Sequence, residues 1–180
     1  MSKDYSLAVS QITRIEQLCD FLDHPGLDAA IKCSVPVSMP QSEGSLGFDT
    51  PLWIGLGLVG LWSALDAYAE RSGYSRTPCE TCGRNCLPGR LASTGRLDRT
   101  SQQVLGELED IRHLFAHNFA GHADSTYFSK KQRHYLCDGS PVRFLSEATF
   151  DGTNIALTAK HLRFYAGQSR KILFALTDLF

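Results

Sequence analysis

Residues 50–71 read TPLWIGLGLVGLWSALDAYAER, and their first part is apolar on nearly every side. Trp53, Ile54, Leu56, Leu58, Val59, Leu61, Trp62 and Leu65 cannot all face one neighbour, so the stretch reads as a helix lying centrally between other helices. Thr50 and Pro51 suit its start. The threonine hydroxyl can accept from an early N–H, and proline at the first helical position loses no bond it would have made. Gly73 follows Arg71, where the helix should end. Gly55, Gly57 and Gly60 permit close approach of neighbouring helices at some cost in propensity. The uncharged run from Thr50 to Leu65 falls short of the ~20 residues a spanning helix needs, so no membrane span is expected.

On the N-terminal side, Ala8, Ile12, Ile15, Leu18, Cys19 and Leu22 recur at three- and four-residue intervals and predict a helix over 6–23. Pro25-Gly26 breaks it; a short helix over 27–32 and a loop over 35–47 follow. On the C-terminal side, Thr100-Ser101-Gln102-Gln103 has the form of a capping box opening a helix over 100–118, with Gly121 placed to end it. A last helix over 158–180 carries Leu162, Tyr165, Ile172, Leu173, Leu176 and Leu179 on one stripe. Between these two helices, 134–137 and 142–145 flank Asp138-Gly139-Ser140-Pro141 as a hairpin, and 154–157 adds a short strand. Together they form a small β-like insertion at 123–157. The expected class is all-α: four long helices in one domain over 1–180, with a Cys-rich loop at 74–99.

With 180 residues and 43% hydrophobic content, the chain can bury one substantial core. Lys and Arg number 18 against 19 Asp and Glu, and a net charge of -1 gives no global attraction to nucleic acid or to anionic membrane. Any nucleic-acid site must be local. Met1-Ser2-Lys3-Asp4-Tyr5 runs straight into a mixed pattern without a secretory leader, so a cytoplasmic protein is expected. Six cysteines in that setting argue for reduced thiols or a metal site before disulfides.

The chemistry concentrates on the third long helix. At 100° per residue, Val104, Leu108, Ile111, Leu114 and Phe115 fall on one side, and Glu109, Arg112, His113, Ala116 and His117 on the other. The first side can bury itself; the second gathers a cation, two imidazoles and a carboxylate around a small alanine. RNA cleavage needs a base for the 2′-OH proton, an acid for the leaving oxygen and a cation for the phosphorus-centred charge. Histidine and arginine supply those groups near neutral pH. The competing explanation is an exposed face with Arg112 paired to Glu109 at i, i+3.

Glu109-Asp110-Ile111-Arg112-His113-Leu114-Phe115-Ala116-His117-Asn118 resembles the Arg-x4-6-His signature of the HEPN superfamily. The resemblance implies a HEPN-like four-helix bundle, commonly dimeric, whose active members are metal-independent endoribonucleases in toxin-antitoxin and other defence systems. It implies Arg112 and His117 as the catalytic pair. His113, in the polar place after the arginine, would position phosphate or take part in proton transfer, with Glu109 and Asn118 in support. RNA, a second copy of the chain forming a composite site, and an antitoxin or regulatory protein are the partners it implies. Phe119 stands where HEPN toxins silenced by a nucleotidyltransferase carry a tyrosine, so that control is not expected, although Tyr127 remains as a different target. HEPN-like modules that bind RNA or protein without turnover form the rival class.

Cys79-x2-Cys82-x3-Cys86 has zinc-knuckle spacing, and Cys137, His122 or His134 would have to complete a tetrahedral site. A structural zinc and three reduced thiols remain alternatives; no metal is expected for catalysis. Arg76, Arg84, Arg90, Arg96 and Arg99 surround this loop, either as an RNA-tracking patch or as solvated charges. A metal-dependent hydrolase built on Glu109, His113 and His117 ranks third, because three residues at i, i+4, i+8 span ~12 Å of helix and cannot all reach one ion. Asp66 and Glu70 read as solvent-facing or as buried polar partners, and His161 as lying away from the apolar stripe of the last helix.

Overall fold

The computed structural model describes residues 3–23, 50–74, 87–92, 94–117, 149–150 and 155–177. Five helices make up nearly all of this: α1 (Lys3–Leu22), α2 (Thr50–Arg71), α3 (Leu87–Ala92), α4 (Arg99–His117) and α5 (Ala159–Leu176). The class is all-α among the described residues, apart from one antiparallel pair of two-residue strands, β1 (Thr149–Phe150) and β2 (Ile155–Ala156). Thr149 pairs with Ala156 and Phe150 with Ile155. The hairpin expected over 134–137 and 142–145 lies outside the described residues, as do the short helix at 27–32, Leu179 and the cysteine cluster.

Helix α2 packs against α1, α4 and α5, and α3 sits on α4 and α2, while Trp53 and Leu56 near the start of α2 stay exposed and so leave part of its apolar surface uncovered. Ile54, Leu58, Leu61 and Leu65 of α2 are fully buried with Ile12 of α1, Leu105 and Leu108 of α4 and Tyr165 of α5. Each Leu or Ile so removed from water contributes about 1.5–3 kcal/mol relative to exposure. Cys19 belongs to this core, and burial pushes its thiol up to about 11, which makes it an inert apolar filler.

At Gly57 the Leu162 side chain of α5 packs directly on the α2 backbone. A Cβ there would stand 2.8 and 2.9 Å from the two δ-carbons of Leu162, whereas one at Gly60 would stand 3.2 Å from the single terminal carbon of Ile15. Gly57→Ala is therefore expected to destabilise by a net of up to about 2 kcal/mol, overpacking of about 1–3 kcal/mol outweighing the helix-propensity gain of about 1 kcal/mol. Gly60→Ala is expected near neutral, because the gain in helix propensity of about 1 kcal/mol offsets the small displacement of Ile15. Urea unfolding of the two variants measures both, and equal midpoints would contradict the asymmetry.

Charged pairs close the seams. Arg163 of α5 reaches Asp20 at 2.9 Å and Asp23 at 2.7 Å, and Arg170 grips Glu16 through Nε at 2.8 Å and Nη2 at 2.6 Å. The Arg170 hydrogen bonds hold the Glu16 carboxyl below its usual value. These pairs are substantially exposed, and solvent screening leaves such contacts little net stabilisation. They fix register more than they add stability.

Two expectations change, at the start of α4 and in the long loop, and His161 takes a capping role at the start of α5. The composition of 74–99 suggests an irregular connection, yet Leu87–Ala92 forms α3, with Leu87 and Leu91 in the core. Two leucines four residues apart are enough to dock one and a half turns, and Pro88 sits in the first turn, where its missing N–H costs nothing. The cap of α4 is Asp98, not Thr100: the Ser101 N–H donates to its carboxylate at 2.7 Å and the Gln102 N–H to its carbonyl at 3.1 Å. His161 folds back to accept the Thr158 N–H on Nδ1 at 2.9 Å, closing the first turn of α5.

The Asp98 cap has a measurable pH signature. Hydrogen bonds from Ser101 hold its carboxyl below the ordinary value. A depressed carboxyl stabilises the fold above its unfolded-state pKa, and that contribution is lost as pH falls through the folded-state value. Asp98→Ala is expected to cost about 1 kcal/mol at neutral pH. The difference from wild type should shrink below about pH 4, as read from thermal midpoints across that range; a pH-independent difference would contradict the assignment.

Candidate functional site

Helix α4 is more enclosed than its two-sided pattern suggests. Ser101 and every residue from Gln103 to Ile111 are buried, among them Glu107, Glu109 and Asp110. The face expected to stand open is covered in its Glu109 part by α2, whose Trp62 indole lies over it. A helical wheel separates apolar from polar positions, but it does not tell which polar positions another element covers.

Glu109 is only 3% exposed, and its carboxylate is shared. One oxygen accepts the indole N–H of Trp62, and the other accepts from Arg112 Nη2 at 3.3 Å. The Arg112 guanidinium in turn lies over the Trp62 ring, with Cζ 4.2 Å from the centroid. Burying a carboxylate is costly unless charge-assisted bonds replace its water, and here a cation and an indole donor do so. Stacking on the most favourable aromatic partner adds a cation–π contribution of about 0.5–2 kcal/mol. Arg112 remains 24% exposed, and its Nε is buried without a hydrogen-bond partner among the described residues.

The i, i+3 pairing of Glu109 with Arg112 is thus present, but as a partly buried brace and not as an exposed surface pair. Continuous helix carries the chain from Arg112 to His117, the last residue of α4. Five residues amount to about 7.5 Å along the axis. The side chains of His113 and His117 and the whole of Asn118 lie outside the described residues.

Two further buried charged groups flank this region. Tyr165 of α5 donates its hydroxyl to Glu107, both residues being fully buried. Arg90 of α3 is 5% exposed and donates through Nη1 to Asp66 at 2.7 Å. Arg90 therefore leaves the basic patch expected along 74–99, and Asp66 is its polar partner. Arg96 directs Nη1 to the Leu176 carbonyl at 3.2 Å, joining the Tyr74 hydroxyl at 2.6 Å in holding the end of α5. Arg76 and Arg84 lie outside the described residues.

Among the described residues, no group of three or more His, Cys, Asp or Glu side chains is arranged to hold a metal ion. Cys79, Cys82 and Cys86 and their candidate fourth ligands Cys137, His122 and His134 fall outside that set. The Glu109 carboxylate is already engaged by Trp62 on one oxygen and by Arg112 on the other, and a metal in the hydrolase arrangement would have to compete with them. No described helix is long and apolar enough to cross a membrane. Compared with known proteins, the chain matches no family model, and neither curated proteins nor solved structures give a significant match.

Sequence reasoning found Arg112 and Glu109 but not Trp62, which lies 47 positions from Glu109. Nothing local marks it, since its neighbours are core residues and it reads as one more of them. The Glu107–Tyr165 contact, 58 positions apart, was equally hidden. Its one signal was a glutamate on the apolar side of a helix, a step from Val104, Leu108 and Ile111.

Proposed function

We propose that the chain is a HEPN-like, metal-independent endoribonuclease that cleaves RNA at the Arg112-x4-His117 site. The observation that carries the reading is the state of Arg112. Its guanidinium is clamped by Glu109 and Trp62 at the C-terminal part of α4, with a quarter of its surface still open and His117 following on the same helix.

In this reading the 2′-OH attacks the adjacent phosphorus, and the bond to the 5′-oxygen breaks. One imidazole takes the 2′-OH proton, a second protonates the departing oxygen, and Arg112 balances charge on the phosphoryl oxygens. The products are a 2′,3′-cyclic phosphate and a 5′-OH. His117 is one proton carrier. His113, or the same helix of a second copy across a homodimer, supplies the other. A net charge of -1 makes the affinity for RNA a local matter of this site. A toxin-antitoxin or defence setting, with a regulatory protein restraining the enzyme in the cytoplasm, accompanies the proposal.

One observation favours a second reading, a binding module without turnover: Arg112 already has a carboxylate and an aromatic face, enough to justify it as a fold-stabilising residue. A 5′-labelled RNA incubated with purified protein in excess chelator separates the two. Cleavage by wild type and not by the Arg112→Ala/His117→Ala double variant supports the enzyme. RNA bound by both with equal affinity and left intact supports the module.

A further inference from the structure

We infer that Trp62 and Glu109 are positioning residues for Arg112, acting as a two-part brace that sets which edge of the guanidinium an anionic substrate meets; this rests on the ribonuclease reading above. A guanidinium offers five N–H donors in one plane, and a free arginine presents them in any orientation its four-torsion stem allows. In this site one face of the plane is covered by the Trp62 ring at 4.2 Å, Nη2 is tied to Glu109 at 3.3 Å, and Nε is buried. Only the Nη1 side is left without a described contact, so a phosphate can approach Arg112 along one edge.

The brace is a closed triangle. Trp62 stacks on Arg112 and also donates its indole N–H to the same Glu109 that holds Nη2. Each member therefore fixes the other two, and the indole comes from α2 while the other two groups come from α4. The stack on Trp62 and the tie to Glu109 hold the guanidinium plane on two sides, and Nε makes no hydrogen bond among the described residues that would turn it elsewhere. Incomplete bonding alongside tight orientation is what a pre-organised electrostatic group requires, because orientation set before substrate arrives need not be acquired during reaction.

The test uses Trp62→Phe, which keeps a ring and removes the N–H, and Glu109→Gln, which keeps the shape and removes the charge. Both are assayed on labelled RNA well below their unfolding temperatures, with rates expressed per folded molecule. Positioning predicts that kcat falls by about 10–100-fold in each, with KM little changed. The Trp62→Phe/Glu109→Gln double variant should be no worse than the more severe single, as members of one unit are not additive. A kcat per folded molecule equal to wild type in either variant overturns the inference. An inert wild type would instead overturn the ribonuclease reading, and the brace is then read directly by NMR of the Arg112 guanidinium. Slow rotation about its Nε–Cζ bond in wild type that becomes fast in both variants supports the brace. Fast rotation in wild type overturns it.

Discussion

Arg112→Ala is expected to lower RNA cleavage by about 10²–10³-fold, the size of effect seen when a pre-organised charge-stabilising donor is removed from a reacting centre. His117→Ala removes a proton carrier and should cost about 10²–10⁴-fold. If both groups serve one transition state, the double variant should be little worse than the more severe single. Arg112→Lys is informative because it keeps the charge while losing both the guanidinium placed over Trp62 and the fork of donors. It should recover little activity. Arg112→Ala also leaves Glu109 buried with the Trp62 donor but without its cation, a loss of about 1–3 kcal/mol. Rates must accordingly be referred to the folded fraction, measured by circular dichroism in the assay buffer. Arg112→Ala cleaving at the wild-type rate would leave the arginine a purely structural role.

Tyr165→Ala should be the most damaging single substitution for the fold. Tyr165 is fully buried between α4 and α5, and truncating a buried aromatic ring costs about 3–5 kcal/mol. Loss of the hydroxyl deprives the buried Glu107 carboxylate of a donor, adding about 1–3 kcal/mol. Domains of this size commonly hold only about 5–15 kcal/mol in total, so the variant should be close to unfolding at ambient temperature. Tyr165→Phe isolates the hydroxyl and should cost only the second of these amounts. With Glu107→Gln added, the two effects should couple by about 0.5–3 kcal/mol, as residues in direct contact do. Urea titrations of the singles and the double give the coupling; strict additivity would mean that the hydroxyl and the carboxylate do not sense each other.

The long helices were legible because their apolar spacing leaves few alternatives. Residues 50–71 fill every side with large side chains, and the same residues form α2. The stripe of Leu162, Tyr165, Ile172, Leu173 and Leu176 is the buried side of α5. Positions where one polar residue competes with another were less legible. Thr100 and Asp98 both suit a helix cap, and the stronger carboxylate acceptor two residues earlier takes that place. The 74–99 segment misled because Pro and Gly count against packing in composition, while Leu87 and Leu91 at helical spacing were the better signal.

The candidate site was half legible. Arg112 and Glu109 are three residues apart on one helix, so their pairing follows from geometry alone. Trp62 completes the arrangement from another helix, and only the packing of α2 on α4 brings it there. The same packing turns a polar face that looked open into a covered one at Glu109. Arg90 makes the opposite point: in sequence it is one of five arginines along a loop, and in the fold it is a buried partner of Asp66.

The chemistry of the RNA ends decides whether this helix carries a ribonuclease. Wild type and His117→Ala are incubated with total RNA in excess chelator, and the fragments are examined for their 3′ termini. The expected result is cleavage by wild type alone, leaving 2′,3′-cyclic phosphates and 5′-hydroxyls. Intact RNA with both proteins, or equal cleavage by both, would contradict a ribonuclease built on this helix.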